Sequence, residues 1–292
     1  MWKRLIKMNK ISKNELESVT TNETYESIKD SIIENLDYED KKIYKMQFSK
    51  VVIEESSFQK NHFENVGYDN STLNVVNFLN SDFININFQN CNVKKCIFDK
   101  SAIENYENYG IFSIFTECSF KDSKFESITF EKSELSDCCF DGAIMNYVTY
   151  YSCNIKKCGF ERIQKEEGSF DFSKIEESSF LEAYFMGEYF TNTILKNCTF
   201  KKSVMDVLNF RKVVLNDVNF DEVCIRETCL EKCDFKNVKM NLTMIKNCDF
   251  TNCSFENVDF RNVRLEDVSF EKCKFLNITC TEEQKKILGC DS

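Results

Sequence analysis

Cysteine is the residue type that most invites a chemical interpretation in this sequence. The chain contains 16 cysteines, and several lie five residues apart, such as Cys91/Cys96 and Cys248/Cys253. Such pairs would be the ligands of a metal site or the partners in disulfides. Structural zinc sites prefer two cysteines with about two to four residues between them, and cytosolic proteins keep their thiols reduced. The four residues between these cysteines lie within the zinc range, so the metal interpretation is decided by their positions in the repeat, described below, which predict core residues and neither a metal site nor a disulfide framework.

Residues that could catalyse a reaction are sparse. The only histidine is His62, and one histidine at a position predicted to face solvent leaves a nucleophile–His–acid triad without its central member. No glycine-rich phosphate-binding loop occurs. Paired carboxylates are present, but they fall at polar positions where solvation is the simpler interpretation: Glu54-Glu55, Glu166-Glu167 and Glu176-Glu177. The sequence thus predicts no enzyme, no catalytic residue, no bound metal and no cofactor.

A period of five residues runs through most of the chain. From Phe115 to Cys280 every fifth residue is apolar except Lys165, and an upstream frame runs from Phe48 to Ile103. Of the 28 phenylalanines, 26 lie on these central positions. At about 100° per residue, a helix would rotate residues five apart by roughly 140° and scatter them around its axis. The period therefore excludes a helical repeat.

A short strand followed by a corner explains the period. The central residue and the residue two before it point to the same face of a strand, and 11 of the 16 cysteines occupy that earlier position. The next inward residue comes three positions later, which a straight strand cannot supply. The two residues after each centre are polar and rich in Asn and Asp, which tolerate turns. The cysteines are accordingly predicted to fill the core as small apolar residues.

The stretches CDFTN, CSFEN, VDFRN, VRLED and CDFKN carry a family resemblance. They are similar to the motif of pentapeptide-repeat proteins, in which a small residue and Asp or Asn precede a central Leu or Phe and two polar residues. The resemblance implies an all-β fold, a right-handed quadrilateral parallel β-helix with four pentapeptides per coil. Cys118, Cys138, Cys158 and Cys198 independently share a twenty-residue register. The frames predict about 11 coils, a rod of roughly 55 Å.

The extent of the repeat divides the chain into three parts. Residues 46–280 form the predicted β-helix, residues 1–45 an N-terminal helical or irregular cap, and residues 281–292 a C-terminal capping helix and tail. Within the N-terminal cap, residues 22–36 place apolar side chains at helical spacing, which predicts a helix over the first coil.

The C-terminal cap has its own sequence signal. Thr281 and Gln284 have the spacing of a capping box, and Ile287 and Leu288 follow. Such a helix would cover the strand edges at the end of the solenoid. If it leaves apolar surface exposed, the resemblance offers precedent for end-to-end dimers. Both a monomer and an end-to-end dimer therefore stay open.

Three segments depart from the five-residue frame. Residues 104–114 insert two extra residues. Residues 161–169 place Lys165 at a centre, and residues 186–190 place Glu188 at an inward position. Because burying an unpaired charge is costly, the segment around Lys165 is predicted to bulge outward. Bulges on a rigid scaffold are frequent sites of function, although drift in a degenerate repeat is the competing interpretation.

Tyrosines concentrate beside these segments. Seven of the 11 tyrosines fall between residues 106 and 189, and the twenty-residue register places several on two neighbouring sides. Exposed aromatic residues with a polar rim are typical of protein-binding surfaces. The predicted interaction residues are Tyr106, Tyr109, Tyr147, Tyr151, Phe172, Tyr184, Met186 and Tyr189, with Glu166 and Glu167 on the rim. The alternative is that the irregular segments fold over these rings and bury them.

The sequence therefore predicts a non-catalytic scaffold that binds a protein partner through this surface. Some pentapeptide-repeat proteins resemble B-DNA, bind type II topoisomerases such as DNA gyrase and confer quinolone resistance, and the resemblance implies this as the alternative. Residues 48–199 carry 23 acidic and 14 basic residues, however, and residues 200–279 carry 13 of each. The net negative charge per unit length of the rod is therefore far lower than that of B-DNA, which carries about one negative charge per 1.7 Å.

Charge and hydropathy also restrict partners and location. The chain has a net charge of −10 and no basic stripe, which disfavours direct binding of nucleic acid or anionic membranes. It has no apolar run long enough to span a membrane, and its N-terminus has no apolar region typical of a signal peptide. We expect a cytoplasmic protein with no membrane contact.

Overall fold

The computed structural model describes residues 8–20, 24–106 and 110–290. In these residues the chain winds into a parallel β-solenoid of about 13 turns, with two short helices. Apart from the turn with the insertion at 104–114, each turn has four sides of five residues, and the predicted all-β solenoid is confirmed. The predicted number of about 11 coils is too low, because the solenoid begins well before Phe48.

We number the four sides as faces 1 to 4 and identify each by an inward central residue of one turn. Leu135 lies on face 1, Phe140 on face 2, Met145 on face 3 and Tyr150 on face 4, and all four are buried. Residues twenty apart pair on the same face of consecutive turns, as Leu135 does with Ile155. The core is therefore a column of stacked inward residues.

Short strands pair in parallel on three of the faces. Face 1 contains Asn9–Lys10, Ser31–Glu34, Val52–Glu54, Thr72–Asn74, Glu134–Ser136, Asn154–Lys156, Lys174–Glu176, Ile194–Lys196, Val214–Asn216, Asp234–Lys236, Ser254–Glu256 and Lys274–Leu276. Face 3 contains Lys42–Tyr44, His62–Glu64, Asp82–Ile84, Ala102–Glu104, Lys124–Glu126, Ile144–Asn146, Gln164–Glu166, Tyr184–Met186, Val204–Asp206 and Cys224–Arg226. Face 4 contains Glu26–Lys29, Met46–Ser49, Gly67–Asp69, Thr129–Glu131, Thr149–Tyr151, Ser169–Asp171, Tyr189–Thr191, Asn209–Arg211 and Cys229–Glu231.

Four longer strands continue around a corner. Asn87–Lys94 and Gly110–Thr116 pass from face 4 to face 1, and Met244–Thr251 and Arg264–Glu271 pass from face 3 to face 4. Face 2 is held by single parallel bridges between turns, from Asp37↔Ser57 onward.

Nearly all corners use the same backbone conformation. The second residue after the centre is in the left-handed region at most corners, with φ between 46° and 61° for the non-glycine residues there, and Asn262 is an exception. Asn, Asp, Lys and Glu are frequent there, as at Asn70 and Asn257. Asn and Asp enter this region more easily than most residues, which explains why the polar positions of the repeat are rich in them.

Aromatic stacking fills the column behind face 2. From Phe120 through Phe140, Phe160 and Phe180 to Phe200, consecutive rings lie parallel with centroids 4.6 to 4.9 Å apart. This spacing equals the separation of adjacent strands, so the backbone ladder and the ring stack have the same repeat. Each phenylalanine therefore packs against the equivalent residue of the turns on both sides.

The helix predicted over residues 22–36 is wrong. Residues 22 and 23 lie outside the described residues, and the rest of the segment contains the strands Glu26–Lys29 and Ser31–Glu34. Ile28 and Ile33 are buried central residues, because the two strands pair with the next turn and stack both side chains on its core. The N-terminal cap is instead the helix α1, Lys13–Thr20, which buries Leu16.

The C-terminal cap matches the prediction. Helix α2, Glu282–Leu288, has the N-cap Thr281, whose side chain accepts a hydrogen bond from the Gln284 backbone N–H, and the Gln284 side chain accepts one from the Thr281 N–H. Gly289 ends the helix with φ 70°. The two helices, eight and seven residues long, are too short to span a membrane, and the described residues contain no other helix.

Candidate protein-binding surface

The predicted aromatic residues come together on faces 3 and 4. Tyr147, Tyr151, Phe172, Tyr184, Met186 and Tyr189 occupy outward positions of adjacent turns, and we call them the aromatic surface. Five of them are exposed and Tyr184 is half-buried. The alternative, that irregular segments cover the rings, is wrong for these residues. Tyr109 lies outside the described residues.

Two of the aromatic residues occupy corners. Tyr147 and Phe172 both have φ 54° and are 53% and 52% exposed. For a bulky residue the left-handed region is unfavourable by roughly 1–2 kcal/mol, and an outward ring gains little from burial. The fold does not require an aromatic residue at either corner, since Ser127 and Asn192 occupy the equivalent positions of adjacent turns.

Two contacts link neighbouring side chains of the aromatic surface. The centroids of Tyr151 and Phe172 are 5.4 Å apart with an interplanar angle of 61°, an edge-to-face geometry that favours the pair beyond its area. The Tyr184 hydroxyl donates to the Met186 sulfur at 3.3 Å. These contacts hold large side chains in place at the surface, which lowers the entropy lost when a partner binds.

Carboxylates border the aromatic surface. Glu166 and Glu167 are exposed beside Tyr147, and the negative charge of Glu167 raises the pKa of the Tyr147 hydroxyl. No ion pair among the described residues involves Glu166 or Glu167. Both carboxylates are therefore available to a cationic group on a partner.

The predicted residue Tyr106 lies further toward the N-terminus. It is 66% exposed, and its hydroxyl donates to the Glu104 carboxylate, which raises the pKa of Tyr106. The insertion at 104–114 is confirmed as two extra residues, because Phe98 stacks on Phe120 whereas most stacked rings are twenty positions apart. Tyr106 thus enlarges the acidic and aromatic area at its N-terminal edge.

A buried ion pair lies beneath this surface. The Lys165 Nζ and Glu188 Oε2 atoms are 2.7 Å apart, and neither side chain is exposed. Lys165 also donates to the Val148 carbonyl at 2.6 Å and lies 5.3 Å from the centroid of the Phe170 ring. Burial lowers the pKa of the lysine and raises the pKa of the glutamate.

This pair corrects the predicted outward bulge at residues 161–169. Gln164–Glu166 and Tyr184–Met186 pair in register, so the coil stays regular at both 161–169 and 186–190. Lys165 remains inward because Glu188 compensates its charge. Gly168 makes space for the ammonium group, since a Cβ there would lie 2.5 Å from the Lys165 Nζ and 2.2 Å from the Val148 carbonyl oxygen.

The candidate chemical residues do not form a reactive centre in the described part of the chain. The His62 Nε2 is 3.6 Å from Glu64 Oε2. Glu176 and Glu177 pair with Lys174 and Lys156. No group of three or more His, Cys, Asp and Glu side chains among the described residues is arranged to hold a metal ion.

The inward cysteines occupy the positions that the repeat predicts. The Cys153 thiol donates to the Phe130 carbonyl at 3.1 Å, and the Cys198 thiol donates to the Ile175 carbonyl at 3.4 Å. Serines make the equivalent bond, as Ser173 does with the Tyr150 carbonyl at 2.9 Å. Cysteine and serine thus share a single structural role in the core.

Comparison with known proteins identifies the repeat. The family model for pentapeptide repeats matches residues 208–237 and 245–275, with eight copies. The chain carries pentapeptide repeats. The same five-residue frame runs on both sides of the matched segments, and the predicted family resemblance is confirmed. No curated protein matches the sequence.

Several solved structures resemble the pentapeptide-repeat chain. Trypsin-treated QnrB1, a plasmid-mediated fluoroquinolone resistance protein, is 15% identical with a TM-score of 0.36, covering 75% of this chain and 94% of its own. HetL, a pentapeptide repeat protein involved in heterocyst differentiation regulation from the cyanobacterium Nostoc, is 8% identical with a TM-score of 0.31, covering 82% and 87%. Tailspike protein 3 of bacteriophage CBA120 is 11% identical with a TM-score of 0.46, covering 86% and 53%. None of these similarities carries an argument about function.

Proposed function

We propose that this protein is a non-catalytic scaffold that binds a protein partner through the aromatic surface and its acidic border. The observation that carries the proposal is the exposure of paired aromatic rings next to Glu166 and Glu167, which have no ion-pair partner among the described residues. Aromatic side chains dominate the energetics of protein interfaces. The partner's matching surface is expected to combine an apolar pocket with lysine or arginine side chains.

The first experiment compares capture of proteins from lysate by the wild type and by a variant with Tyr147, Tyr151, Tyr184 and Tyr189 replaced by serine. The bound partner should be lost, because the rings supply the buried area of the interface. The melting temperature should change little, since exposed substitutions usually alter stability by less than about 0.5 kcal/mol each. A large fall in melting temperature would show instead that the rings stabilise the fold.

A second variant tests the acidic border. Glu166→Gln/Glu167→Gln should weaken capture and reduce its dependence on salt, because exposed charges are screened within about 10 Å at 0.1 M salt. Glu176→Gln/Glu177→Gln is the matched control, since these two carboxylates already pair with lysines on face 1. Equal capture by both double variants would remove the acidic border from the proposal.

The same capture experiment distinguishes the alternative. If the retained protein is DNA gyrase, inhibition of gyrase supercoiling with a strong salt dependence would support the DNA-mimic role. The exposed charge argues against that role, because Lys94 and Lys95 both lie close to Glu117 and several other outward lysines are paired. The absence of inhibition at micromolar protein would end it.

A further inference from the structure

The backbone ladder of face 2 is interrupted between two turns. Elsewhere on this face each central N–H donates to a carbonyl of the next turn, as Phe220 does to Lys239 and Phe260 does to Thr279, both at 2.7 Å. The equivalent bond from Met240 to the Asp259 carbonyl is not made. The bonds from Asp259 to the Val238 carbonyl and from Leu242 to the Arg261 carbonyl are also not made, and the bridge between residues 239 and 259 is missing.

The interruption is confined to face 2. At the preceding corner Asn237 donates to Glu256 at 3.0 Å, and at the following corner Arg264 donates to Thr243 at 2.9 Å. The two turns are therefore joined on both sides of a slit. Backbone groups in a folded protein are normally paired with protein or solvent, so three donors and three acceptors at this slit need partners from outside the ladder.

The ring stack is interrupted at the same place. Every face 2 centre from Phe58 to Phe260 is phenylalanine except Met240. Phe220, below it, is tilted by 31° to Phe200, whereas Phe180 and Phe200 are within 5° of parallel. Methionine fills irregular space that a flat ring would not. The replacement of phenylalanine by Met240 and the loss of the backbone bonds thus occur at the same turn.

A groove of about 420 Å³ lies over the slit, and we call it the amide groove. Val238 and Met240, whose side chains are buried in the core, form its inner wall. Its remaining walls are polar: Asp221, Asn237, Lys239, Asn241, Asn257, Asp259 and Asn262. The volume lies within the range of about 300–1,000 Å³ that is typical of ligand sites.

The lining of the amide groove carries little net charge, because Asp259 pairs with Arg261 and the positive charge of Lys239 offsets the negative charge of Asp221 in the total. Both Asp259 oxygens contact the Arg261 guanidinium, at 2.6 to 3.1 Å, which lowers the pKa of the Asp259 carboxyl. Asp221 Oδ1 accepts the Asn241 backbone N–H at 2.8 Å. The carboxylates are therefore poorly available to a metal ion, and two of them disfavour a phosphate. A neutral polar ligand fits this balance best.

We propose that the amide groove binds a neutral saccharide of about disaccharide size. A sugar hydroxyl both donates and accepts hydrogen bonds, so it can pair with the N–H groups of Met240, Leu242 and Asp259 and with the carbonyls opposite them. The amides of Asn241 and Asn257 add their remaining N–H groups, since Asn241 Oδ1 already accepts from Asn262, and Asn257 already donates to Asn237 and accepts from Asn277. This site is on face 2 and is independent of the aromatic surface.

Amide hydrogen exchange followed by NMR tests the site directly. In the free protein the amides of Met240, Leu242 and Asp259 should exchange much faster than those of Phe220 and Phe260. Adding millimolar maltose, cellobiose or diacetylchitobiose should shift their resonances and slow their exchange with at least one of these sugars. Strong protection of the three amides in the free protein would overturn the slit, and no shift with any of the three sugars would overturn the saccharide proposal.

Two variants with matched controls locate the binding. Met240→Phe should restore the ring stack and abolish the sugar-induced shifts, whereas Met205→Phe, at a buried centre of face 3, should leave them unchanged. Asn257→Ala should weaken binding at least tenfold. Its control is Asn197→Ala, at an equivalent corner with the same left-handed backbone. Wild-type affinity in both Met240→Phe and Asn257→Ala would contradict the proposal.

Discussion

At the scale of single residues, the fold is governed by a separation of 23 positions. The Cys153 thiol reaches the Phe130 carbonyl and the Ser173 hydroxyl reaches the Tyr150 carbonyl, each 23 residues earlier. Lys165 and Glu188 have the same separation and form the buried ion pair. A residue two before one centre therefore lies against the centre on the preceding face of the previous turn, and this relation explains why two charges can enter the core together.

The buried pair should tolerate joint replacement better than single replacement. Lys165→Met or Glu188→Val alone leaves one buried charge without a partner, which typically costs about 3–5 kcal/mol. The double variant replaces both charges with residue types found at equivalent positions and should be near neutral or more stable. Melting temperatures of the wild type and three variants, completing a double-mutant cycle, measure the coupling.

The control for this cycle is a pair of exposed partners. Lys236→Met/Glu256→Val removes an ion pair with a 3.1 Å separation at the surface, where a coupling of at most about 1 kcal/mol is expected. Equal coupling at both sites would contradict the interpretation that Lys165 and Glu188 depend on each other because they are buried.

The sequence predicted correctly whether a side chain points inward or outward where the residue fits the five-residue pattern. It placed Tyr151, Met186 and Tyr189 on the outside of the coil because alternation along a strand fixes which side chains point outward. It failed at Lys165 because a lone lysine in an apolar frame argues for exposure, and its compensation by Glu188 becomes visible only once the stacking of turns is known. The slit at Met240 was not predictable for the same reason, because it depends on how two turns pair.

At the scale of the structural element, one five-residue side is the unit of the fold. On faces 1, 3 and 4 a typical side combines a three-residue strand, a left-handed corner and one small inward residue, as Thr129–Glu131, Lys132 and Ser133 do. Cysteine at the small position donates its thiol to backbone carbonyls and contributes apolar volume. Its abundance therefore reflects packing in a narrow core.

The reactivity of each cysteine thiol should depend on whether the side chain is packed in the core or exposed. Burial raises the pKa of Cys91, Cys198 and Cys248 to about 11, so at pH 8 very little thiolate is present at these positions. The exposed Cys229 should react with Ellman's reagent fastest in the native protein. Cys229→Ser should remove the fast phase, and Cys248→Ser, the matched control, should retain it. A fast phase that persists in Cys229→Ser would contradict the assignment.

The raised pKa values of these thiols also predict the direction in which the stability of the fold changes with pH. Their folded pKa values of about 11 exceed the value of about 8.5 expected in the unfolded chain. The folded state therefore binds more protons between these values, and stability that is fully present below about pH 8.5 is lost as the pH rises toward 11. The melting temperature should fall over that range.

Elements were predictable from the sequence wherever the five-residue frame carries phenylalanine. The first turn was not, because Ile28, Ile33, Tyr38 and Ile43 continue the frame without it. Short apolar segments fit a helix and a strand about equally well. The neighbouring turn decides between them, since it offers Met46–Ser49 as a pairing edge for Glu26–Lys29.

At the scale of the whole molecule, the two ends of the solenoid differ in how they are covered. At the N-terminal end Asn9–Lys10 pairs with Ser31–Ile32, and the Thr20 and Tyr38 hydroxyls are 2.5 Å apart. At the C-terminal end, α2 buries only Gln284 and Leu288 of its own residues. The last turn keeps several inward side chains only half-buried: Leu265, Val268, Phe270, Cys273, Phe275 and Ile278.

This incompletely covered end should pair with a second copy of the chain. Lys274–Leu276 pairs with Ser254–Glu256 on one side only, and such an edge with adjacent apolar side chains favours association. Light scattering during size exclusion should then give twice the chain mass of 34.4 kDa. Phe275→Lys/Ile278→Lys should give a monomer, because a charge at the contact would be buried without a partner.

The control distinguishes an end contact from general surface adhesion. Leu242→Lys changes an apolar residue that is 66% exposed on the side of the rod, so it should leave the dimer intact. If the wild type elutes as a monomer at every concentration, the half-buried turn is instead sufficiently covered by α2. If Leu242→Lys also gives a monomer, association involves the side of the rod, and the ends contribute less than their exposed apolar residues suggest.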